Sequence, residues 1–227
     1  MSFNAYDAAV HTIGRAEGLL RGARPSALRR QKKTGKLVLR RSTVPQEARA
    51  DMRRLSVVMA VAALDTYMHR LILERAYTHK VLPKKLAQLD VSFEQLLAQA
   101  EETRDAARAK PHNSRPRVGV KRQLQERLLR ETFQSYNAVS QALTMAGRPK
   151  SWAAIGEEMS PQRSPDDIRE HLNSIVRRRN KIVHEGDYER LQKPQKAKLN
   201  GLTQSEAQRD IEFISQIITA IHAVVSK

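Results

Sequence analysis

Apolar residues recur at helical spacing along most of the chain. Phe3, Tyr6, Val10, Ile13 and Leu20 share one face of a helix running to about Arg21. Arg24-Pro25 and Thr34-Gly35 then mark a basic, irregular connection. Leu37-Val38-Leu39 has strand character, but a lone strand has nothing to pair with. A long helix is predicted from Pro45 to about Lys80. Its centre, Leu55 to Leu64, is apolar almost all round, which marks a central, buried helix. Pro83 interrupts the pattern. Ser92, with Gln95 three residues on, caps a helix carrying Phe93, Leu96, Leu97 and Ala100. Lys110 to Pro116 reads as a loop. One further helix carries Val120, Leu124, Leu128, Tyr136, Val139 and Leu143, and Gly147-Arg148-Pro149 ends it. A short helical turn spans about Trp152 to Met159.

Ser164-Pro165-Asp166-Asp167 is a strong helix start: a serine cap, proline at the first position and acids in the first turn. That helix runs to about Glu185, and Gly186 closes it. Pro194 and Asn200-Gly201 mark the next loop. Thr203 to Glu206 forms a capping box, and behind it Ala207, Ile211, Ile214, Ile218, Ile221 and Val225 alternate steps of four and three, a bundle seam. There is no internal repeat and no strand-helix alternation. The expected fold is all-α, a bundle of about five or six helices. Residues 1–44 read as an N-terminal helix and basic loop, and residues 45–227 as the bundle.

Charge adds to this outline only the sign a partner would carry. The formal charge is +17, which favours polyanions such as nucleic acid, an acidic protein or anionic lipid. It is unevenly spread: Arg21 to Arg41 holds nine basic residues and no acid, and a second basic stretch runs from Arg104 to Arg130. A basic run is either a solvated loop or a phosphate-contact surface, and both can hold at once. Arg29, Arg30, Lys32, Lys33, Lys36, Arg40 and Arg41 are the candidate RNA-binding residues of the first run. Aromatics make up only 4%, which argues against broad base-stacking platforms. The chain has no cysteine, so disulfides and zinc-thiolate sites are excluded. The first residues contain no continuous apolar stretch of the signal-peptide kind, and the longest apolar run, Val57 to Leu64, is far short of a membrane span. A cytoplasmic protein without membrane association is expected.

The helix from Ile168 carries the candidate chemistry. At 100° per residue, Ile168, Leu172, Ile175, Val176, Ile182 and Val183 fall on one stripe, with Arg179 in its middle. An arginine is costly in a dry core unless paired, so this face opens into a cleft or meets another subunit. Asn180 and His184 are neighbours at i, i+4 on the flank of the stripe, where Asn180 can orient the imidazole. His184 also lies in the last turn, where the helix dipole favours imidazolium and makes the ring a usable acid or base.

Arg179-Asn180-Lys181-Ile182-Val183-His184 resembles the R-x(4–6)-H motif of HEPN domains, in which a polar residue commonly follows the arginine. Arg177 and Arg178 satisfy the longer spacings. None of the other histidines, at 11, 69, 79, 112, 171 and 222, has an arginine at this spacing. Glu185-Gly186-Asp187 also resembles HEPN sequences, and the apolar helix Leu55 to Leu73, with Asp65 embedded, resembles the core helix of the RiboL-PSP-like branch. The resemblance covers roughly Pro45 to Lys227.

This resemblance implies a metal-independent endoribonuclease, without cofactor, acting as a homodimer with motif helices facing each other. Cleavage of RNA without metal uses the adjacent 2′-OH as nucleophile and yields 2′,3′-cyclic phosphate and 5′-OH ends. It benefits from a base, an acid and a cation on the phosphorane. Arg179 is assigned to the scissile phosphate, His184 to acid or base work, and Asn180 to positioning His184. Asp65, Arg177 and Arg178 are candidate supporting residues. Asp65 is either a helix-surface acid or the partner that offsets burial of Arg179. By analogy with the family, a toxin or antiviral effector is implied, with an antitoxin or other regulator protein acting in trans. Two rival readings are a non-catalytic HEPN-like RNA-binding or protein-interaction module and a basic nucleic-acid binder without chemistry. A metalloenzyme is disfavoured because there is no HExxH and His184-Glu185 has no second histidine nearby. Lys33-Thr34-Gly35-Lys36 lacks the upstream glycine of a P-loop.

Overall fold

The computed structural model describes residues 4–30, 37–76, 83, 86, 93–109, 116–189 and 198–227, leaving aside the side chains of 26–30, 37–41, 93–96, 99, 106, 107, 109 and 116–120. Eight helices and one two-stranded ribbon are seen among these residues. In chain order they are α1 (Ala5–Gly22), β1 (Ser26–Arg30), β2 (Leu37–Arg41), α2 (Gln46–Arg75), α3 (Phe93–Ala109), α4 (Pro116–Leu128), α5 (Tyr136–Met145), α6 (Trp152–Glu158), α7 (Pro165–Glu185) and α8 (Gln204–Ser226). The all-helical class expected from the periodicity holds, with more and shorter helices than the five or six expected. Ser92, Lys110 to Arg115 and Pro194 lie outside the described residues.

The long apolar helix is the centre of the bundle. Val57, Ala60, Val61, Ala63, Leu64, Tyr67, Met68 and Ile72 of α2 are all buried, and α1, α4, α5, α7 and α8 pack around it. By length and hydropathy α2 could cross a membrane, yet these apolar residues are packed against the other helices. Burying a Leu or Ile contributes roughly 1.5–3 kcal/mol, so this one helix supplies a large part of the driving force for folding. The α8 seam is buried as its spacing requires: Ala207, Ile211, Ile214, Ile218, Ile221 and Val225 are all inside, joined by Phe213 and Ile217.

The core is continuous across the 44/45 boundary drawn from the sequence. Ala5, Ala9, Ile13, Ala16 and Leu20 of α1 belong to the same cluster as α2 and α8. Both ends of α1 are hooked by distant residues. The Ala5 amide donates to Glu74 Oε1 at 2.6 Å, and Gln204 Nε2 donates to the Leu20 carbonyl at 2.8 Å.

Two local expectations are corrected. The stretch Leu37-Val38-Leu39 does have a partner: β2 pairs antiparallel with β1, Leu28 opposite Leu39 and Arg30 opposite Leu37. The Ser42 amide donates to the Pro25 carbonyl at 2.8 Å and closes the base of this ribbon. The arginines of Ser26–Arg30 disguise a strand as a basic loop. The helix expected from Val120 to Leu143 is in fact two, α4 and α5, broken at residues 129–135. Asp65 of α2 braces the break. Its Oδ1 accepts from the Phe133 amide at 2.6 Å and its Oδ2 from Gln134 Nε2 at 3.2 Å. The Ser135 side chain then accepts from the Ala138 amide and caps α5.

Candidate functional site

Local sequence builds α7 from both ends. At its start, the Ser164 side chain accepts from the Asp167 amide while the Asp167 side chain accepts from the Ser164 amide, a closed capping box with Pro165 in the first turn. Ser164 donates to the exposed Asp167 carboxylate from its hydroxyl and from its amide, and these two bonds hold the carboxyl below its usual range. At its end, Gly186 takes the left-handed conformation at φ 62°, which a glycine adopts without steric cost.

Asp187 continues the turn at φ 59°, uncommon outside glycine but tolerated by aspartate. What holds it there is a buried network. Arg54 Nε of α2 donates to Asp187 Oδ2 at 2.7 Å, and Arg54 Nη2 donates to the Asn200 carbonyl at 2.9 Å. Asn200 Nδ2 donates to the Asp187 carbonyl at 2.9 Å and to its Oδ1 at 3.2 Å. Asp187 is fully buried and Arg54 nearly so. The end of α7 is thereby tied to both α2 and the segment leading into α8.

The three consecutive arginines of α7 have three different surroundings. Arg177 is exposed. Arg178 Nη2 donates to the Gly201 carbonyl at 2.5 Å and reaches Asp187 Oδ2 at 3.5 Å, so it joins the buried network. Arg179 is half-buried, and its Nη1 donates to Asn180 Oδ1 at 3.0 Å. Asn180 and His184 are exposed. Asn180 is therefore engaged with Arg179, where the sequence reading aimed it at His184.

The apolar stripe of α7 changes character along its length. Ile168, Leu172 and Ile175 are sealed in the core. Val176 and Ile182 are only partly covered, and Val183 is 46% exposed. The face that carries Arg179 thus leaves the core and opens to solvent, with Tyr188 also exposed just beyond the turn. An arginine on this stripe does not face a dry interior, which removes the burial cost that its position in the sequence suggests.

Asp65 does not pair with Arg179. Its carboxylate is occupied by Phe133, Gln134 and, at 3.6 Å, His69 Nε2. Of the basic run, Arg29 and Arg30 lie on β1 and Arg40 and Arg41 on β2, in register positions opposite Val38, Leu37, Ala27 and Ser26. Lys32, Lys33 and Lys36 lie outside the described residues. Among the described residues no group of three or more His, Asp or Glu side chains is placed to hold a metal ion.

The profile of the RiboL-PSP-HEPN family matches residues 28–227. The chain belongs to the RiboL-PSP-HEPN family. The match begins before Pro45, within β1, and takes in most of the β1–β2 ribbon and every helix from α2 to α8. Neither curated proteins nor solved structures furnish a match. Membership points to an RNA-related, ribonuclease-like role for this HEPN bundle. In it the segment Arg179 to His184 occupies the last turns of α7, immediately before the Gly186-Asp187 turn. Sequence reasoning missed the importance of Arg54 and Asn200 and gave Asp187 no role. The signals were an arginine at the edge of the most apolar run in the chain, and an acid directly after a helix-closing glycine.

Proposed function

We propose that this HEPN protein is a metal-independent endoribonuclease whose site forms from the exposed ends of two α7 helices in a homodimer. The observation that carries the reading is the apolar face around Arg179, which leaves the core at Ile182 and Val183 and is only partly covered by the chain's described residues. A second copy would cover it and would bring two Arg179 and two His184 side chains into one cleft. One His184 would take the proton of the RNA 2′-OH. The 2′-oxygen then bonds to phosphorus as the bond to the 5′-oxygen breaks, and the other His184 protonates that leaving oxygen. Arg179, held against Asn180, would neutralise the phosphorane by planar two-pronged contact. The products are a 2′,3′-cyclic phosphate and a 5′-OH, and DNA is spared.

A toxin or antiviral effector controlled by a regulator in trans, working in the cytoplasm, is the cellular role this reading favours. A second reading, an RNA-binding module without chemistry, draws on Asn180, whose side-chain oxygen is engaged by Arg179 while His184 stands exposed. Cleavage of a labelled single-stranded RNA in excess EDTA separates the two. Wild type should cut RNA and leave DNA intact, and Arg179→Ala and His184→Ala should be folded and inactive. Binding without cutting, or full activity in His184→Ala, would replace the catalytic reading with the binding one.

A further inference from the structure

Arg163, Arg169 and Arg177 take no part in the proposed reaction, yet they lie together. They line a surface groove of 750 Å³ along α7 that also includes Asn173 and Ser174. The groove's acids are Asp167 and Glu170. Asp167 is already engaged, accepting from Ser164 Oγ at 2.7 Å. Arg169 pairs with Asp166 at 3.0 Å, but the two side chains are 52% and 77% exposed, and such a pair is weakly held and open to exchange.

The groove points toward the motif. Because α7 is unbroken from Pro165 to Glu185, its residues can be placed by helical geometry. At 100° per residue, Arg169, Asn173, Arg177, Asn180 and His184 fall within an arc of about 80°. At 1.5 Å per residue, Arg177 lies about 10 Å from His184 along the axis, and Arg169 about 12 Å further. Arg177, Asn180 and His184 are exposed along this row. A single row of cations suits one phosphate backbone rather than the two of a duplex. Arginine forks match phosphate oxygens, and contacts of this kind set register without reading sequence.

We infer that this groove is the binding track for the single-stranded RNA flanking the scissile bond, with Arg177 and Arg169 each holding a phosphate. The inference rests on the ribonuclease reading for the chemistry at His184. The track itself is tested by binding alone. The full chain carrying His184→Ala is titrated with a labelled single-stranded RNA, with and without Arg169→Gln plus Arg177→Gln. A control pair, Arg104→Gln plus Arg122→Gln, removes the same charge from exposed positions on α3 and α4.

Loss of the track pair should weaken binding roughly tenfold. It should also reduce the slope of log affinity against log salt by about 1.4, the value for two phosphates of a single strand. The control pair should change affinity less than about twofold. Equal weakening by both pairs, or none by the track pair, would overturn the inference. A wild-type protein that leaves RNA uncut while the contrast between the pairs persists would defeat the ribonuclease reading and leave the track standing.

Discussion

Arg54 and Asp187, 133 residues apart in sequence, meet through a 2.7 Å hydrogen bond from Nε to Oδ2 in the interior of the bundle. The pair joins the core helix to the turn that ends the motif helix. Removing one partner strands a buried charge, which typically costs about 3–5 kcal/mol. Arg54→Ala should lose stability on that scale in urea unfolding. Arg54→Lys should recover little of it, because an ammonium cannot serve Asp187 and the Asn200 carbonyl with the same fixed fork. A loss under about 1 kcal/mol would show the pair to be marginal.

Arg179 and His184 should behave in the opposite way. One is half-buried and bonded to its exposed neighbour, and the other is exposed, so alanine at either site should change stability by no more than about 0.5 kcal/mol. RNA cleavage should nonetheless fall, for His184→Ala by about a hundredfold to ten-thousandfold. Parallel melting curves and cleavage rates on the same preparations test both halves of this statement.

Asp65→Ala should destabilise by about 1–3 kcal/mol, since it leaves the Phe133 amide without its acceptor. If Asp65 acts on the α4–α5 connection and not on Arg179, the double variant Asp65→Ala, Arg179→Ala should lose the sum of the two single losses to within about 0.5 kcal/mol. A larger coupling would restore the pairing that the sequence left open.

These cases show which features a sequence exposes. The start of α7 was legible because Ser164, Pro165 and Asp167 act on one another within three residues. The α8 seam was legible because a helix writes its buried face at fixed spacing. The break between α4 and α5 was not, because Asp65, which braces it, stands 68 residues from Phe133. The same holds for Asp187, whose buried state depends on Arg54 and Asn200. For the site, the motif residues themselves could be named. What could not be foreseen is that Arg178 would be drawn into the buried network while Arg177 stays exposed.

The capping boxes of α7 and α8 set an acid limit. Asp167 and Glu206 are held below the usual carboxylate range by hydrogen bonds from Ser164 and Thr203 respectively. A lowered folded-state value means the carboxylates stabilise the fold above their unfolded values. That contribution is lost as pH falls toward the folded ones. Melting temperature should therefore decline below about pH 5, and Glu206→Gln should flatten part of the decline. An unchanged slope in that variant would remove the Thr203 box as a cause.

The exposed end of the α7 stripe predicts self-association. Wild type should sediment at twice the chain mass. Val183→Asp, which places a charge on the exposed apolar position, should sediment as a single chain, fold normally and cut no RNA. A monomeric wild type that still cuts would mean that one chain suffices.

The hooks on α1 bear on where this protein can be trimmed. The family match starts at residue 28, after α1 has ended. Yet Ile13, Ala16 and Leu20 sit in the shared core, and Glu74 and Gln204 hold the two ends of that helix. The matched region is therefore shorter than the packed core. A polypeptide cut to residues 28–227 would keep every motif residue and still uncover greasy flanks of α2 and α8, and it should aggregate more readily than residues 1–227.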